Sequence, residues 1–498
     1  MKSFKKFTAL FMSFVIVLTM LCVSAYASDG EQVSADIKRI SVSINGDTAT
    51  QRGFCWYTPD LCDSIVKLYI DGDDVTSSVT CSVPVCSEWE GSYLHKVTVS
   101  DLEPGQTYNF KVGDGKRWSD IGTFTTDNGD DKVNFIAIAD VQAGNLNNFM
   151  KGARALSAAF DYMPDYDFVT NLGDLTNDSN NEEWNYYDEA FAELNLNYSI
   201  APIAGNHDGF GVWNWFNNMF NLDTSESVQT LNGVNYSFDY GNAHFAVLNT
   251  NDLVSVSHAQ LNWLRNDMNS TDKDWKIVFM HKSPYSLGKD AKWPDALFLQ
   301  KSVAAVCDEV GVDLVMSGHD HMYLRTKPLI DNAVADGGTT YVLSGTAGSK
   351  RYEVRSFLAD KFLDTSFIDA MTVQKDGYAN YWDGEDWDQS LDTNVGSCFN
   401  TISIDGGTLT LKSYIIADEK DENGNDVITQ IDTYNVSKET GKNEITFEGD
   451  NTTSSASYWL GVIPSFLSLA TYTLTEWLPK FLGMLPKLIY VYATEGVF

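Results

Sequence analysis

From residue 133 onward, the sequence alternates between short apolar runs and longer amphipathic segments. The runs cover 133–138, 168–172, 198–204, 277–280 and 312–316, and the amphipathic segments cover 147–162, 182–194, 258–268 and 294–310. Runs that are apolar almost throughout are typical of strands buried on both faces of a sheet, and the intervening segments have the length of crossover helices. This alternation restricts residues 131–440 to an α/β fold, with a hairpin at 235–249 and further strands between 401 and 435.

A polar motif follows each apolar run. The motifs are Ala139-Asp140-Val141-Gln142, Gly173-Asp174, Gly205-Asn206-His207-Asp208, Met280-His281 and Gly318-His319-Asp320-His321. Because open α/β sheets bind ligands beyond the carboxyl ends of their strands, we expect these side chains to converge. Each motif alone could be a turn, a strand exit or a buried core histidine. Together, their carboxylates, amide oxygen and imidazoles match the ligands of a pair of divalent cations.

The region before the α/β part has a different pattern, with short alternating strands separated by turns. Strands are expected at 65–70, 94–99, 108–112 and 121–125 within a domain at 33–127. The stretch from Leu102 to Tyr108 contains a proline-glycine turn followed by a strand tyrosine, as in the tyrosine corner of β-sandwiches. We therefore predict an all-β, fibronectin type III-like sandwich, although an ordinary turn would give a similar local pattern.

The amino terminus has the features of a secretory signal peptide at 1–27. Lys2, Lys5 and Lys6 precede an apolar run at 7–23, and Ala25-Tyr26-Ala27 has the small-residue spacing of a cleavage site. The sequence thus predicts a secreted or cell-surface protein. The alternative is an uncleaved membrane anchor.

Cysteine usage fits an exported protein. Beyond the signal there are six cysteines, namely Cys55, Cys62, Cys81, Cys86, Cys307 and Cys398. The first four allow three disulfide connectivities, which the sequence does not distinguish. Buried free thiols are the alternative, and they suit Cys307 best because it lies in a predicted helix.

Charge limits the partners of the chain. The formal net charge is −34, so the protein surface repels nucleic acid phosphates and no nucleic acid partner is expected. A phosphorylated substrate would need a local positive centre, which bound cations can supply. The carboxyl-terminal tail at 441–498 is apolar and broken by prolines, which favours contact with a membrane, the cell envelope or a partner, or packing on the protein's own core.

The Asn206-His207-Asp208 and His319-Asp320-His321 motifs, together with the preceding sandwich, resemble the calcineurin-like metallophosphoesterase superfamily, specifically its purple acid phosphatase branch. This resemblance implies a catalytic αββα sandwich at 131–440, preceded by a purple acid phosphatase N-terminal type of β-sandwich. It also implies that Asp174 bridges two metal ions. The first ion would be held by Asp140 and His321, and the second by Asn206, His281 and His319.

The implied activity is that of a metal-dependent phosphoric ester hydrolase, acting on phosphomonoesters in the manner of an acid phosphatase, or on small phosphodiesters. Two cations grip the phosphate and acidify a shared water, and the resulting hydroxide attacks phosphorus. His207 is the candidate proton donor to the leaving group, with Asp208 orienting its imidazole. Candidate substrate contacts are Asn206, His207, Lys282 and Tyr285.

Two positions depart from the purple branch. Asn177 stands where that branch has a tyrosine, and Gln142 stands where other members of the superfamily have a histidine. No ferric tyrosinate is therefore expected, and the two divalent ions would be zinc, manganese or iron. The side-chain amide oxygen of Gln142 or Asn177, or a water molecule, could complete the first metal site. If these changes make the site degenerate, the alternative function is a non-catalytic cell-surface binding module.

The remaining histidines, His95, His244 and His258, are assigned structural roles.

Overall fold

The computed structural model describes residues 32–208, 215–228, 233–251, 256–288, 294–352, 366–374, 378–382, 387–392 and 395–438. The predicted signal peptide and the apolar tail lie outside the described residues. Within the described ranges, no helix is both long and apolar enough to cross a bilayer.

The first domain is built from short strands in two sheets. The strands are β1 (Gln32–Val33), β2 (Lys38–Ser43), β3 (Arg52–Thr58), β4 (Ile65–Ile70), β5 (Asp73–Asp74), β6 (Thr80–Cys81), β7 (Val85–Trp89), β8 (Ser92–Ser100), β9 (Thr107–Gly113), β10 (Arg117–Trp118) and β11 (Gly122–Thr125). Phe54 and Trp56 of β3 face Leu68 and Phe110 of the other sheet in a shared apolar core. The tyrosine corner is confirmed, because the Tyr108 hydroxyl accepts a hydrogen bond from the Glu103 backbone N–H at 2.9 Å.

The second domain contains the predicted alternation of strands and helices. Its helices are α1 (Leu146–Tyr162), α2 (Asn181–Asn195), α3 (Trp215–Met219), α4 (His258–Ser270) and α5 (Pro294–Val310). The strands in the first part of this domain are β12 (Lys132–Ile138), β13 (Phe168–Asn171), β14 (Ile200–Pro202), β15 (Tyr236–Tyr240), β16 (Ala243–Leu248), β17 (Trp275–Met280) and β18 (Leu314–Ser317). The later strands are β19 (Tyr323–Thr326), β20 (Leu329–Ile330), β21 (Ala333–Val334), β22 (Thr340–Ser344), β23 (Ile368–Val373), β24 (Tyr378–Trp382), β25 (Trp387–Asp392), β26 (Gly396–Asp405), β27 (Thr408–Ala417) and β28 (Ile428–Ser437).

Two sheets of this domain pack face to face between layers of helices, which confirms the αββα prediction. One sheet runs β28-β27-β26-β12-β13-β14, and the other runs β15-β16-β17-β18-β22-β19-β23-β24-β25. Helices α1 and α2 cover the outer face of the first sheet, and α4 and α5 cover the outer face of the second. Neighbouring strands β12, β13 and β14 are parallel, as are β16, β17, β18 and β22.

The alternation of side chains along β12 shows how a continuous apolar run serves both layers. Phe135 faces the core between the sheets, while Ile136 and Ile138 face the helices. The Phe135 ring stacks on Phe168 with centroids 5.1 Å apart and meets Phe279 edge-on at 5.6 Å. Burying such a ring contributes roughly 2 to 3 kcal/mol. This packing fixes the strands whose ends carry the polar motifs.

Two features of the architecture were not expected from the sequence. Strand β14 pairs with β2 through Ile200 and Ser43, so one sheet continues from the second domain into the first. Strands β23, β24 and β25 extend the other sheet within a stretch where no strand was predicted. Pairing between strands distant in sequence leaves no local pattern, which is why both were missed.

Candidate metal centre

The polar motifs meet beyond the carboxyl ends of the parallel strands. Asp140, Asp174 and Asn206 follow β12, β13 and β14 in the first sheet, whereas His281 and His319 follow β17 and β18 in the second. The loops are tied together by backbone hydrogen bonds, including Asp140 N–H to Gly173 O at 3.0 Å and Gly318 N–H to His281 O at 2.9 Å. The site is therefore a crevice across the ends of both sheets.

Asp174 belongs to each of two ligand clusters found among the described residues. One cluster joins Asp174, His281 and His319, the other joins Asp140, Asp174 and His321, and within each cluster the candidate ligand atoms lie within 4.8 Å of one another. The Nε2 atom of His281 is 3.3 Å from Asp174 Oδ2, and that of His321 is 3.5 Å from Asp140 Oδ1. These clusters coincide with the sets assigned to the two cations from the sequence. A carboxylate shared in this way is suited to bridging two ions.

Asn206 completes the second cluster. Its side-chain Oδ1 lies 3.1 Å from His281 Nε2, beside the shared carboxylate. The amide oxygen is a neutral ligand that zinc, manganese and iron accept alongside imidazole and carboxylate.

Backbone carbonyls orient two of the imidazoles. The Nδ1 of His281 lies 2.8 Å from Leu172 O, and the Nδ1 of His321 lies 2.5 Å from Lys350 O. When Nδ1–H donates to a carbonyl, Nε2 presents its lone pair to the crevice, as in many metal-binding histidines. His321 also stacks on Tyr352, with centroids 4.4 Å apart. The two carbonyls could not be recognised from the sequence, because every residue has a backbone oxygen. The stacking partner was also missed, because it is distant in sequence from His321.

Several candidate ligands occupy a strained backbone conformation. Asp140, Asp174 and His319 have φ angles of 53°, 54° and 78°. Positive φ is unfavourable for residues with a side chain and is concentrated at functional sites. Adjacent glycines leave room for the carboxylates. A Cβ at Gly205 would lie 2.1 Å from Asp174 Oδ1, and one at Gly318 would lie 2.6 Å from Asp140 Oδ2.

The electrostatics of the cluster suit a cation. Burial raises the pKa of Asp140 well above its ordinary value, and the Asp174 charge raises it further. Burial also opposes ionisation of Asp174, but His281 and His207 outweigh it and hold the pKa of that carboxyl below its usual range. Burial lowers the pKa of His321 to about 3, so its imidazole is neutral and able to ligate. A positive ion between the carboxylates would relieve the repulsion that now acts on Asp140.

His281 differs from the other imidazoles in its protonation. Burial lowers its pKa, but Asp174 outweighs burial and raises the pKa of His281 to about 9. A proton on this ring and a cation in the cluster are alternative ways to balance the negative charge of Asp174. The donor set therefore fits metal ions, since a cation would replace that proton.

Gln142 has a buried amide oxygen without a hydrogen-bond partner among the described residues. The side chain is 6% exposed, and the unpaired atom is Oε1. The backbone N–H of Gln142 donates to Asp174 O at 2.7 Å, and its φ is 35°. A buried acceptor without a donor is costly, so this oxygen, two residues after Asp140, fits a role as a neutral metal ligand.

Asn177 contributes its backbone to the site. Its backbone carbonyl lies 2.5 Å from His207 Nδ1, and its N–H donates to the Glu183 carboxylate at 3.1 Å. Glu183 Oε2 also accepts from Asp178 N–H at 2.7 Å and Ser179 N–H at 3.0 Å. The loop after Asp174 is thus fastened by one carboxylate at the start of α2. Glu183 was missed, although an Asn-x-x-Glu pattern from Asn180 marks this helix start.

Asp208 does not orient the His207 imidazole, which corrects the prediction made from the sequence. Its buried carboxylate accepts hydrogen bonds from Thr176 N–H at 3.0 Å and Gly205 N–H at 2.9 Å. Asp208 therefore braces the loop that carries Asn206 and His207, and the Asn177 carbonyl holds the ring instead. The backbone N–H of His207 in turn donates to Asp174 Oδ1 at 2.7 Å.

Tyr285 is also misassigned as a substrate contact. Its side chain is buried, and its hydroxyl donates to Asn332 Oδ1 at 2.7 Å. Lys282, by contrast, lines a small cleft together with His319, and its Nζ lies 3.1 Å from Asp295 Oδ2. Lys282 therefore lies beside the second cluster. Asp295 lies outside every motif, so no sequence signal identified it.

The three histidines that were assigned structural roles belong to neither ligand cluster. His95 is buried on β8, and His258 begins α4. His244 lies on β16 between two carboxylates, with Asp239 Oδ1 at 2.7 Å from Nδ1 and Asp267 Oδ2 at 2.9 Å from Nε2.

Two family models match the chain. Residues 37–126 match "Purple acid Phosphatase, N-terminal domain", and residues 133–323 match "Calcineurin-like phosphoesterase". The second match spans all the candidate ligands.

Similar proteins include acid phosphatase type 7 of Danio rerio, which is 22% identical over 59% of this chain and 75% of its own length. Purple acid phosphatase 22 of Arabidopsis thaliana is 23% identical over 61% of this chain and 71% of its own length. A solved structure titled "Structure of PhoD" superimposes with a TM-score of 0.55 at 11% identity, covering 89% of this chain and 99% of that one. At this identity, the structural likeness concerns the fold alone.

Proposed function

Because this chain is a metal-dependent phosphoesterase, with a calcineurin-like phosphoesterase domain and a purple acid phosphatase N-terminal domain, we propose that it hydrolyses phosphomonoesters or small phosphodiesters at a dinuclear centre. The observation that supports this function most directly is the position of Asp174 in two ligand clusters. One shared carboxylate gives a site for two cations at short separation, which suits phosphoester hydrolysis better than a single structural ion does.

The side chains divide into two ligand sets. Asp140, Asp174 and His321 would hold the first ion, with Gln142 as an additional oxygen ligand. Asp174, Asn206, His281 and His319 would hold the second. When bound, the two divalent ions supply positive charge that polarises a phosphoryl group and lowers the pKa of water. Zinc, manganese and iron all accept this combination of oxygen and nitrogen ligands.

His207 is proposed to hold the proton for the leaving group. Its half-buried ring is anchored through Nδ1 to the Asn177 carbonyl, so a second proton would reside on Nε2. From there it can pass to the departing oxygen of an ester. Lys282 contributes a positive charge at the edge of the cleft, where Asp295 limits its movement. It is proposed to contact the phosphate.

The test uses the purified full chain, loaded in turn with zinc, manganese or ferrous iron. We expect hydrolysis of p-nitrophenyl phosphate, bis-p-nitrophenyl phosphate, or both. The Asp174→Ala variant should lose metal pairing and turnover together. Two bound metals with both esters untouched would overturn the catalytic function and favour a non-catalytic binding module.

A second comparison isolates the role of His207. His207→Ala should retain both metals and slow the hydrolysis of an alkyl phosphate by roughly 10²- to 10⁴-fold, the range for a lost general acid. The loss should be smaller for p-nitrophenyl phosphate, whose leaving group departs without a proton. Equal losses for the two substrates, or loss of metal, would contradict the assignment.

We also propose that the protein is exported, on the evidence of the basic, apolar and small-residue segments within residues 1–27. The apolar tail at 441–498 is then available to contact the cell envelope. Fractionation of expressing cells tests both points. Export predicts a mature chain that begins at or near Ser28, with the sequence Ser28-Asp29-Gly30, whereas a cytoplasmic chain with an intact amino terminus would refute the proposal.

A further inference from the structure

The first domain contains a buried histidine with thiols on two sides. His95 is fully buried on β8, with its Nε2 2.7 Å from Thr58 Oγ1 and its Nδ1 2.7 Å from Ser64 Oγ. Cys62 lies between these two residues in the sequence. Its Sγ is 3.9 Å from His95 Nε2 and 3.6 Å from Thr58 Oγ1. The segment between β3 and β4 therefore brings the Cys62 thiol against the ring.

Cys86 approaches the same histidine from the neighbouring strand. In the antiparallel β7–β8 pair, Cys86 is directly opposite His95. Side chains opposite one another share a face of the sheet, with Cβ atoms about 5 Å apart. Burial and the neighbouring Cys62 thiol both raise the pKa of Cys86, so the two sulfur atoms are within electrostatic reach. Both cysteines are half-buried.

Neither Cys81 nor Cys55 is placed to pair with Cys86. Cys81 pairs with Val99, which lies four positions beyond His95 on β8. At about 3.3 Å per residue, the Cα atoms of Cys81 and Cys86 are roughly 13 Å apart, which exceeds the limit of about 7 Å for a disulfide. Cys55 is fully buried and faces the helix layer, where its Sγ is 3.3 Å from Asn218 O.

We propose that Cys62 and Cys86 form a disulfide when the protein meets an oxidising environment, and that Cys55 and Cys81 remain thiols. The S–S bond forms as each thiol loses a proton and one electron, and the two electrons reduce a low-molecular-weight disulfide such as oxidised glutathione to two thiols. Of the three connectivities open to the first four cysteines, only one contains this pair, and its remaining pair is not formed.

The disulfide would fasten an exposed edge of the first domain. In the described part of the chain, β7 pairs with β8 on one side only, so its other edge is open. Such edges fray and recruit other strands. A link from Cys86 to the segment before β4 would hold β7 against both sheets of the sandwich. None of these residues belongs to the metal centre, so the disulfide is independent of the proposed function.

The experiment is thiol mapping on the purified full chain. The protein is equilibrated with mixtures of reduced and oxidised glutathione, quenched with iodoacetamide under denaturing conditions, and digested for mass spectrometry. We expect a single cross-linked peptide pair joining Cys62 and Cys86, which exceeds the dithiol form by roughly tenfold or more in the oxidising mixtures. The other described cysteines should be recovered in alkylated form.

Two variants serve as matched controls. Cys81→Ser should retain the cross-link, and Cys86→Ser should abolish it while leaving Cys62 alkylated or joined to glutathione. Alkylation of both Cys62 and Cys86 in every mixture would overturn the proposal. A dominant cross-link from Cys81 to either of them would do the same. Because the wild-type map is decisive by itself, poor folding of a variant does not prevent the test.

Discussion

Replacement of Gln142 by methionine should stabilise the metal-free protein and weaken its metal binding. The Gln142 side chain is buried, and its Oε1 has no hydrogen-bond partner among the described residues. An unsatisfied buried acceptor costs about 1 to 3 kcal/mol. Methionine has a similar length but no acceptor to desolvate, so we expect the free energy of unfolding of the metal-free Gln142→Met variant to rise by about that amount.

Metal affinity should change in the opposite direction. If Gln142 Oε1 is a ligand of the first ion, its removal should weaken that ion's binding by at least tenfold or so, and leave the second ion in place. Urea unfolding in the presence of a chelator measures the first effect, and competition with a metal-sensitive dye measures the second. Gln32→Met is a matched control, because Gln32 is exposed on β1 and should change neither quantity.

The refuting result is equally specific. A Gln142→Met protein that is less stable without metal, and that still binds two ions with wild-type affinity, would show that Gln142 has a packing role. For a metal ligand, the substitution should raise the unfolding free energy of the metal-free protein and lower the metal affinity. For an ordinary core residue, both quantities would fall or neither would change.

Other substitutions test separate parts of the structure. Glu183→Gln should loosen the loop that anchors His207 and lower kcat by roughly 10- to 100-fold with both metals retained; loss of metal instead would contradict this positioning role. Gly205→Ala should displace the Asp174 carboxylate and cause loss of metal, since the added Cβ would lie 2.1 Å from Asp174 Oδ1. A variant that still holds two metals by elemental analysis would refute this steric argument. Burial lowers the pKa of His244, but its two carboxylate partners outweigh burial and raise it to about 9 from 6.5. That shift corresponds to stability of about 3 kcal/mol, fully present below pH 6.5 and lost as pH rises through 9. The unfolding free energies of wild type and His244→Gln should therefore differ most at pH 6 and converge by pH 10, as urea titrations would show; a gap that does not depend on pH would contradict the charge pairing.

Much of the catalytic domain could be predicted because its signals are local. Apolar runs and amphipathic segments located β12, β13, α1 and α5 to within about two residues. Continuous burial on both faces is encoded directly in each run. The sheet order, and the pairing of β14 with β2, depend on contacts between distant segments, which leave no periodic pattern in the sequence.

In the candidate site, too, the residues with local signals could be predicted and the contacts between distant segments could not. Side chains that converge at strand ends, such as Asp174 and His281, were found from their motifs. What surrounds them was not found, because the group that orients His281 is the carbonyl of Leu172. Adjacent residues also proved a poor guide to hydrogen bonding. Asp208 follows His207 directly, yet its carboxylate points back to the backbone of its own loop.

The central claim is that one carboxylate, Asp174, holds two metal ions at the ends of the two sheets. Elemental analysis of the purified wild type and the Asp174→Ala variant, with phosphoesterase activity assayed on the same samples, tests it most directly. We predict two divalent ions per wild-type chain, and at most one ion and no activity in the variant. A wild-type chain that is active with a single ion, or a variant that keeps both ions and its activity, would contradict the claim.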